Sequence, residues 1–217
     1  MRFNINDNIV VRALGKIFDL MCLNILWLVC SIPVITVGAS TTALYTVVLK
    51  MVKNEEGYIL KDFLKAFKSN FKQSTIAWIM ILMIGIICWV DQQIVSQIAE
   101  PMGMMMNVAV FIVGFIVLAV TIYIFPLIAR YENALRAALK NAVLISIARL
   151  PYTLLMMTVL VAAIIVSMWN GYIFMIAITI WCFIGVSAVA YINSCILRRV
   201  FLIFETNEDK TEEEGAE

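Results

Sequence analysis

LMCLNILWLVCSIPVITVGASTTALYTVVL, from Leu20 to Leu49, runs for thirty residues without a charged side chain. About twenty apolar residues cross a hydrocarbon core of roughly 30 Å. Thirty therefore exceed one straight span and fall short of two long ones. Pro33 and Gly38 stand in the middle, where proline removes a backbone donor and glycine permits a turn. The stretch predicts two short helices closed into a hairpin, at about residues 17–31 and 37–51.

The flanking sequence has the same character. Of 217 residues, 63% are hydrophobic and 14% charged, with a mean hydropathy of +0.96; soluble domains carry about 25% charged residues. This is the composition of a polytopic membrane protein. A net charge of +1 lacks the excess of Lys and Arg that a nucleic-acid partner calls for. Histidine, the commonest general base and metal ligand, is absent. No phosphate loop, nucleophile elbow or zinc motif occurs. We therefore expect no catalytic residues, no metal and no cofactor. Cys22, Cys30, Cys88, Cys182 and Cys195 lie in apolar runs without a CxxC pair and read as small apolar residues.

Four further spans are expected at about 75–97, 107–128, 150–169 and 172–197, making an all-α domain of six spans over 1–204. Residues 205–217 read as an acidic, disordered cytoplasmic tail. Two polar segments interrupt the apolar runs: Asn54–Ser74, with Lys61, Lys65, Lys68 and Lys72, and Arg130–Arg149, with Arg136 and Lys140. The loops near Glu100 and Asn170 carry no Lys or Arg. Six spans place every basic segment on one side, the cytoplasm, together with both termini; five would export the basic N-terminus. Cleavage of a signal peptide after Val37-Gly38-Ala39 would export the lysine-rich segment, against the same rule.

Ile59, Leu60, Phe63, Leu64, Phe67 and Phe71 recur at helical spacing, which predicts an amphipathic helix lying flat among the lipid headgroups. Leu135, Leu139, Val143 and Ile147 repeat the pattern in the second segment. DFLKAFKSN (Asp62–Asn70) aligns without gaps on NALRAALKN (Asn133–Asn141), and each is followed by an apolar hairpin, as in a parallel repeat. Glu132 to Leu150-Pro151 partly resembles the coupling segment of ABC importer permeases, with Asn133 and Ala134 in place of Ala-Ala and Ala138 at the glycine position.

Polar groups inside apolar spans are costly unless paired and point to function. Pro33, Thr36, Gly38, Ser40, Thr41 and Thr42 form the densest such group. Two readings stand: a structural hairpin turn, or a solute site of unwound backbone and hydroxyls lining a wet cavity. Asn24 and Asn193 are expected to bond across helices. Asp19 and Asp91 are expected near opposite interfaces. Met102, Met104, Met105 and Met106 read as a loop dipping into lipid rather than a soft-metal site.

Leu26-Trp27-Leu28, the run Ser31 to Ser40, Ala43-Leu44-Tyr45, Glu56-Gly57-Tyr58, Asp62-Phe63, Phe67 to Ser74 and Tyr131-Glu132-Asn133 through Leu150-Pro151 together resemble the YesL-like predicted integral membrane proteins over nearly the whole chain apart from the tail. The resemblance implies a bacterial cytoplasmic-membrane protein of unassigned activity. Genes of that family often lie beside those of carbohydrate ABC importers and glycan-degrading enzymes, which implies a supporting role in sugar uptake. Two classes of function follow. One is a non-enzymatic partner of importer permease subunits, with Lys61, Lys65, Lys68, Lys72, Glu132, Arg136 and Lys140 as a partner or lipid surface. The other is a small-solute transporter or channel working at the Pro33–Thr42 break.

Overall fold

A computed structural model describes residues 9–55, 57–95, 101–131 and 134–214. These residues are helical almost throughout and include no strand. The described residues form eight α-helices in order: α1 (Ile9–Cys30), α2 (Val37–Lys53), α3 (Ile59–Val95), α4 (Met102–Arg130), α5 (Leu135–Ala148), α6 (Leu150–Ser167), α7 (Gly171–Ile180) and α8 (Val186–Glu214). A single 3-10 turn, Val34–Thr36, precedes α2, and a π turn, Trp181–Gly185, joins α7 to α8. Among the described residues, six stretches are long and apolar enough to cross a bilayer: Ala13–Cys30, Val34–Lys53, Ile59–Val95, Met102–Arg130, Leu150–Ser167 and Gly171–Phe201. The protein is an all-α polytopic membrane protein, as the composition demands.

The local signals act where the sequence places them. Pro33 follows the end of α1 and is itself the residue before the 3-10 turn. Asn54 closes α2 in the left-handed conformation, φ 57°, with its N–H on the carbonyls of Lys50 and Met51. The Asn170 side chain accepts from the Ile173 amide at 2.8 Å and starts α7.

Two expectations need correction. The basic segment is not a separate helix lying flat before a span. It is the first half of α3, which is continuous for 37 residues, about 55 Å, because no glycine or proline interrupts the chain from Ile59 to Ile84. Met102, Met104, Met105 and Met106 form the first turns of α4 rather than a loop. Helix α8 extends to Glu214. The second amphipathic segment is a separate helix, α5, broken from α6 at Arg149.

The least apolar span is the most buried. The α2 span has a mean hydropathy of 1.4 and is 61% buried, whereas the α4 span has 2.9 and is 33% buried. Helix α2 is the centre of the bundle, packed by α1, α3, α4 and α8. Residues 78–94, 104–118 and 158–176 contain no buried position, so the most apolar parts of both later hairpins face outward. In lipid the solvent is itself apolar, so the spans with hydroxyls and amides move inward to find partners.

Candidate functional site

The 3-10 turn after Pro33 leaves polar groups that the neighbouring helices take up. The Thr36 hydroxyl lies 2.6 Å from the Cys30 carbonyl and 2.7 Å from that of Pro33. Trp27 Nε1 donates to Thr41 Oγ1 at 3.1 Å, and Thr41 Oγ1 donates to the Val37 carbonyl at 2.7 Å. Ser74 Oγ donates to Thr42 Oγ1 at 2.8 Å, in a fully buried contact. Trp78 Nε1 donates to the Val34 carbonyl at 2.8 Å. Ser40 Oγ is buried and has no partner. Gly38 sits so close to α3 that a Cβ there would stand 2.5 Å from both the Ser74 carbonyl oxygen and Trp78 Cβ. The six residues singled out from the sequence thus lie together, and the hydroxyls of Thr36, Thr41 and Thr42 bond to protein. The turn also meets α3 halfway along: residues 79–95 continue beyond Trp78 for about 25 Å.

The lysines of α3 behave differently. At about 100° per residue, Lys61, Lys65, Lys68 and Lys72 share one stripe, opposite the buried Phe63, Ala66, Ser74 and Ala77, and all four are exposed. Leu60, Leu64 and Phe71 form an exposed apolar stripe between the two, with relative exposures of 57%, 40% and 40%. The amphipathic pattern read from the sequence is therefore found on the outer flank of a helix whose inner face packs into the bundle. Arg136 and Lys140 are exposed on α5. Glu132 lies outside the described residues.

A cleft of about 490 Å³ opens between α2, α3 and the end of α4. Lys50, Asp62, Lys65, Ser69, Asn70 and Arg130 contribute its polar groups. Lys50 Nζ and Asp62 Oδ2 pair at 2.9 Å, and the Arg130 guanidinium lies 4.7 Å from the Phe201 ring and 5.5 Å from that of Tyr131. No sequence pattern announces this cleft, because its walls come from three segments. Lys16 Nζ on Asn54 at 2.8 Å and Arg198 on the Val52 carbonyl at 3.2 Å gather further cations at the same end of the bundle.

A polar knot inside the apolar region also escaped the sequence in its particulars. Asn24 Nδ2 donates to the Trp181 and Cys182 carbonyls at 3.0 and 2.8 Å, and Asn24 Oδ1 accepts from the Ser187 amide at 3.0 Å. The Ser187 hydroxyl donates to the Leu20 carbonyl at 2.8 Å. The π turn frees backbone groups that an α-helix would have paired, and Asn24 takes them. The expected cross-helix role of Asn24 is thereby observed. Asn193 Oδ1 on α8 is buried and has no hydrogen-bond partner among the described residues. All five cysteines are free thiols, and no group of three or more Asp, Glu, Cys or His that could hold a metal ion occurs among the described residues.

Comparison with known proteins agrees with the resemblance seen in the sequence. Residues 20–92 match the family described as "Protein of unknown function, DUF624". The chain is 28% identical over 143 residues to the uncharacterized protein YteU of Bacillus subtilis, a match that covers 64% of each chain. It is 27% identical over 144 residues to the uncharacterized protein YesL of the same organism, covering 64% of this chain and 68% of YesL. The chain thus spans just under two thirds of YteU's length, and the matched part is shorter than the near-complete resemblance read from the motifs. No solved structure matches.

Proposed function

We propose that this YesL-like membrane protein is a non-enzymatic accessory or assembly partner of a carbohydrate ABC importer in the bacterial cytoplasmic membrane. The observation that carries the reading is the lysine stripe of α3: four exposed cations on the side facing away from the core, which the fold does not need for its own packing. Charge held on one rigid face steers and registers a partner more than it stabilises a fold. The partner's identity follows from the importer context that the resemblance implies. The state of the Pro33–Thr42 turn supports a partner over a solute site, since its threonine hydroxyls are engaged by protein.

A gentle-detergent pulldown of the tagged protein, with partners identified by mass spectrometry, tests this. Importer permease subunits should be recovered, and their recovery should fall at least tenfold when Lys61, Lys65, Lys68 and Lys72 are all changed to glutamate. Recovery of the chain alone would reject the proposal.

In this reading the basic end, with both termini, faces the cytoplasm. That orientation is independent of how deeply the first hairpin enters the bilayer, because a hairpin returns the chain to the side it left. A cysteine introduced at Lys68 should be shielded from a membrane-impermeant maleimide in intact cells and labelled after permeabilisation. One introduced at Asn170 should be labelled in both. The reverse pattern would invert the topology.

A further inference from the structure

We propose that the cleft between α2, α3 and the end of α4 is a binding site for a phosphate-bearing anion. Its lining sets three cations, Lys50, Lys65 and Arg130, against one carboxylate, Asp62. The carboxylate is held by Lys50 at 2.9 Å, so the charge presented to a ligand is positive. Two of the cations have duties in the fold. Lys50 also sits in the last turn of α2 and Arg130 in that of α4, where each answers the negative end of a helix dipole. Lys65 has no such duty: it lies in the second turn of α3, away from any helix C-terminus, exposed, and makes no ion pair among the described residues. Its place on α3, one turn from Ser69 and toward Asn70 on the cleft side, makes it the charge that the fold leaves for a ligand.

The remaining lining suits an oxyanion. Ser69 and Asn70 bring a hydroxyl and an amide, which lie 3.1 and 3.2 Å from the Ala66 carbonyl. The hydroxyl can swing from that intrahelical bond to a ligand at little cost, since such local bonds compete evenly with other partners. About 490 Å³ holds a phosphate with a small esterified group, within the range of small-molecule sites. On the α4 side, Ile128 and Ala129 complete the wall, giving an apolar margin beside the charged one. Basic pockets between transmembrane helices take up lipid headgroups by this combination. The ligand chemistry is thus a phosphate monoester or diester, either a membrane lipid headgroup or a free phosphate compound.

The test uses purified full-length protein in a neutral detergent. Short-chain phosphatidylglycerol, short-chain phosphatidylcholine and inorganic phosphate are titrated separately, with binding followed by thermal shift and native mass spectrometry. Lys65→Glu is compared with Lys68→Glu, which makes the same change of charge outside the cleft. We expect saturable binding of phosphatidylglycerol, of inorganic phosphate or of both, weakened at least tenfold by Lys65→Glu and less than twofold by Lys68→Glu. A response to the lipid alone identifies a headgroup site; a response that includes inorganic phosphate identifies a site for the bare group. Failure of both to bind, or equal losses in the two variants, overturns the proposal. Both lysines are exposed, so neither variant threatens folding. The outcome is independent of importer binding, which the pulldown reads separately.

Discussion

Gly38→Ala is expected to cost the bundle about 3 kcal/mol, the upper part of the range for overpacking a well-filled contact. The added methyl would stand 2.5 Å from the Ser74 carbonyl oxygen and from Trp78 Cβ. The first is backbone and the second is fixed to the backbone of α3, so neither can step aside as a flexible side chain would. Relief requires α2 and α3 to separate, and that would stretch the 2.8 Å bonds from Ser74 to Thr42 and from Trp78 to Val34. Small residues serve membrane helices in this way, by letting backbones approach. Gly85→Ala and Gly114→Ala are the controls. A Cβ at either meets nothing within 4 Å, and alanine is the better helix former by about 1 kcal/mol. Unfolding midpoints in a mixed-detergent titration should therefore fall for Gly38→Ala and stay level or rise for the controls. A Gly38→Ala midpoint equal to the controls would mean that α2 and α3 are not in close contact.

Asn24→Leu removes at a stroke three hydrogen bonds from α1, two to the π turn and one to the start of α8. Bonds between membrane helices average about 0.6 kcal/mol each, so the loss should reach about 2 kcal/mol. It can exceed that figure, since the abandoned Trp181 and Cys182 carbonyls and the Ser187 amide would be left in an environment without water. Gly185 limits relaxation: a Cβ there would already lie 2.9 Å from the Trp181 ring, so the turn is closely filled by its own side chain. Ser187→Ala, which removes the hydroxyl contact to Leu20 but leaves the Asn24 bonds, should cost less than half as much. Hydrogen exchange supplies a second reading, with the Ser187 amide exchanging faster in Asn24→Leu than in the parent. Equal stability of the two variants would show that Asn24 does not hold the π turn.

The repeat-like alignment of the two polar segments has a mixed outcome in the fold. Each leads into an outward-facing apolar hairpin, as its pattern implies. In the first the helix is unbroken from Ile59 to Val95, whereas in the second it stops at Arg149 ahead of Pro151. The difference traces to residues. The residue before a proline is disfavoured in the helical region, but Leu150 begins α6 with Pro151 in its first turn, where the missing N–H costs nothing, so the break falls one residue earlier. The first segment has no proline, and the change from polar to apolar at Ser74 and Thr75 does not itself end a helix.

The sequence alone determined that the chain enters a membrane, that a hairpin turns at Pro33, that six apolar stretches are long enough to span, and that four lysines share a stripe. Each of these depends on residues close together in the chain: an uncharged run of sufficient length, a missing backbone donor, a repeat of 3.6. The tertiary structure decided which span lies at the centre, what Gly38 touches, which carbonyls Asn24 reaches 157 and 158 residues away, and that Lys50, Lys65 and Arg130 share a cleft. In lipid, apolarity does not sort helices into inner and outer, because every apolar face is already solvated. What sorts them is the fit of small residues and the pairing of buried polar groups, and both depend on partners that lie far away in the chain.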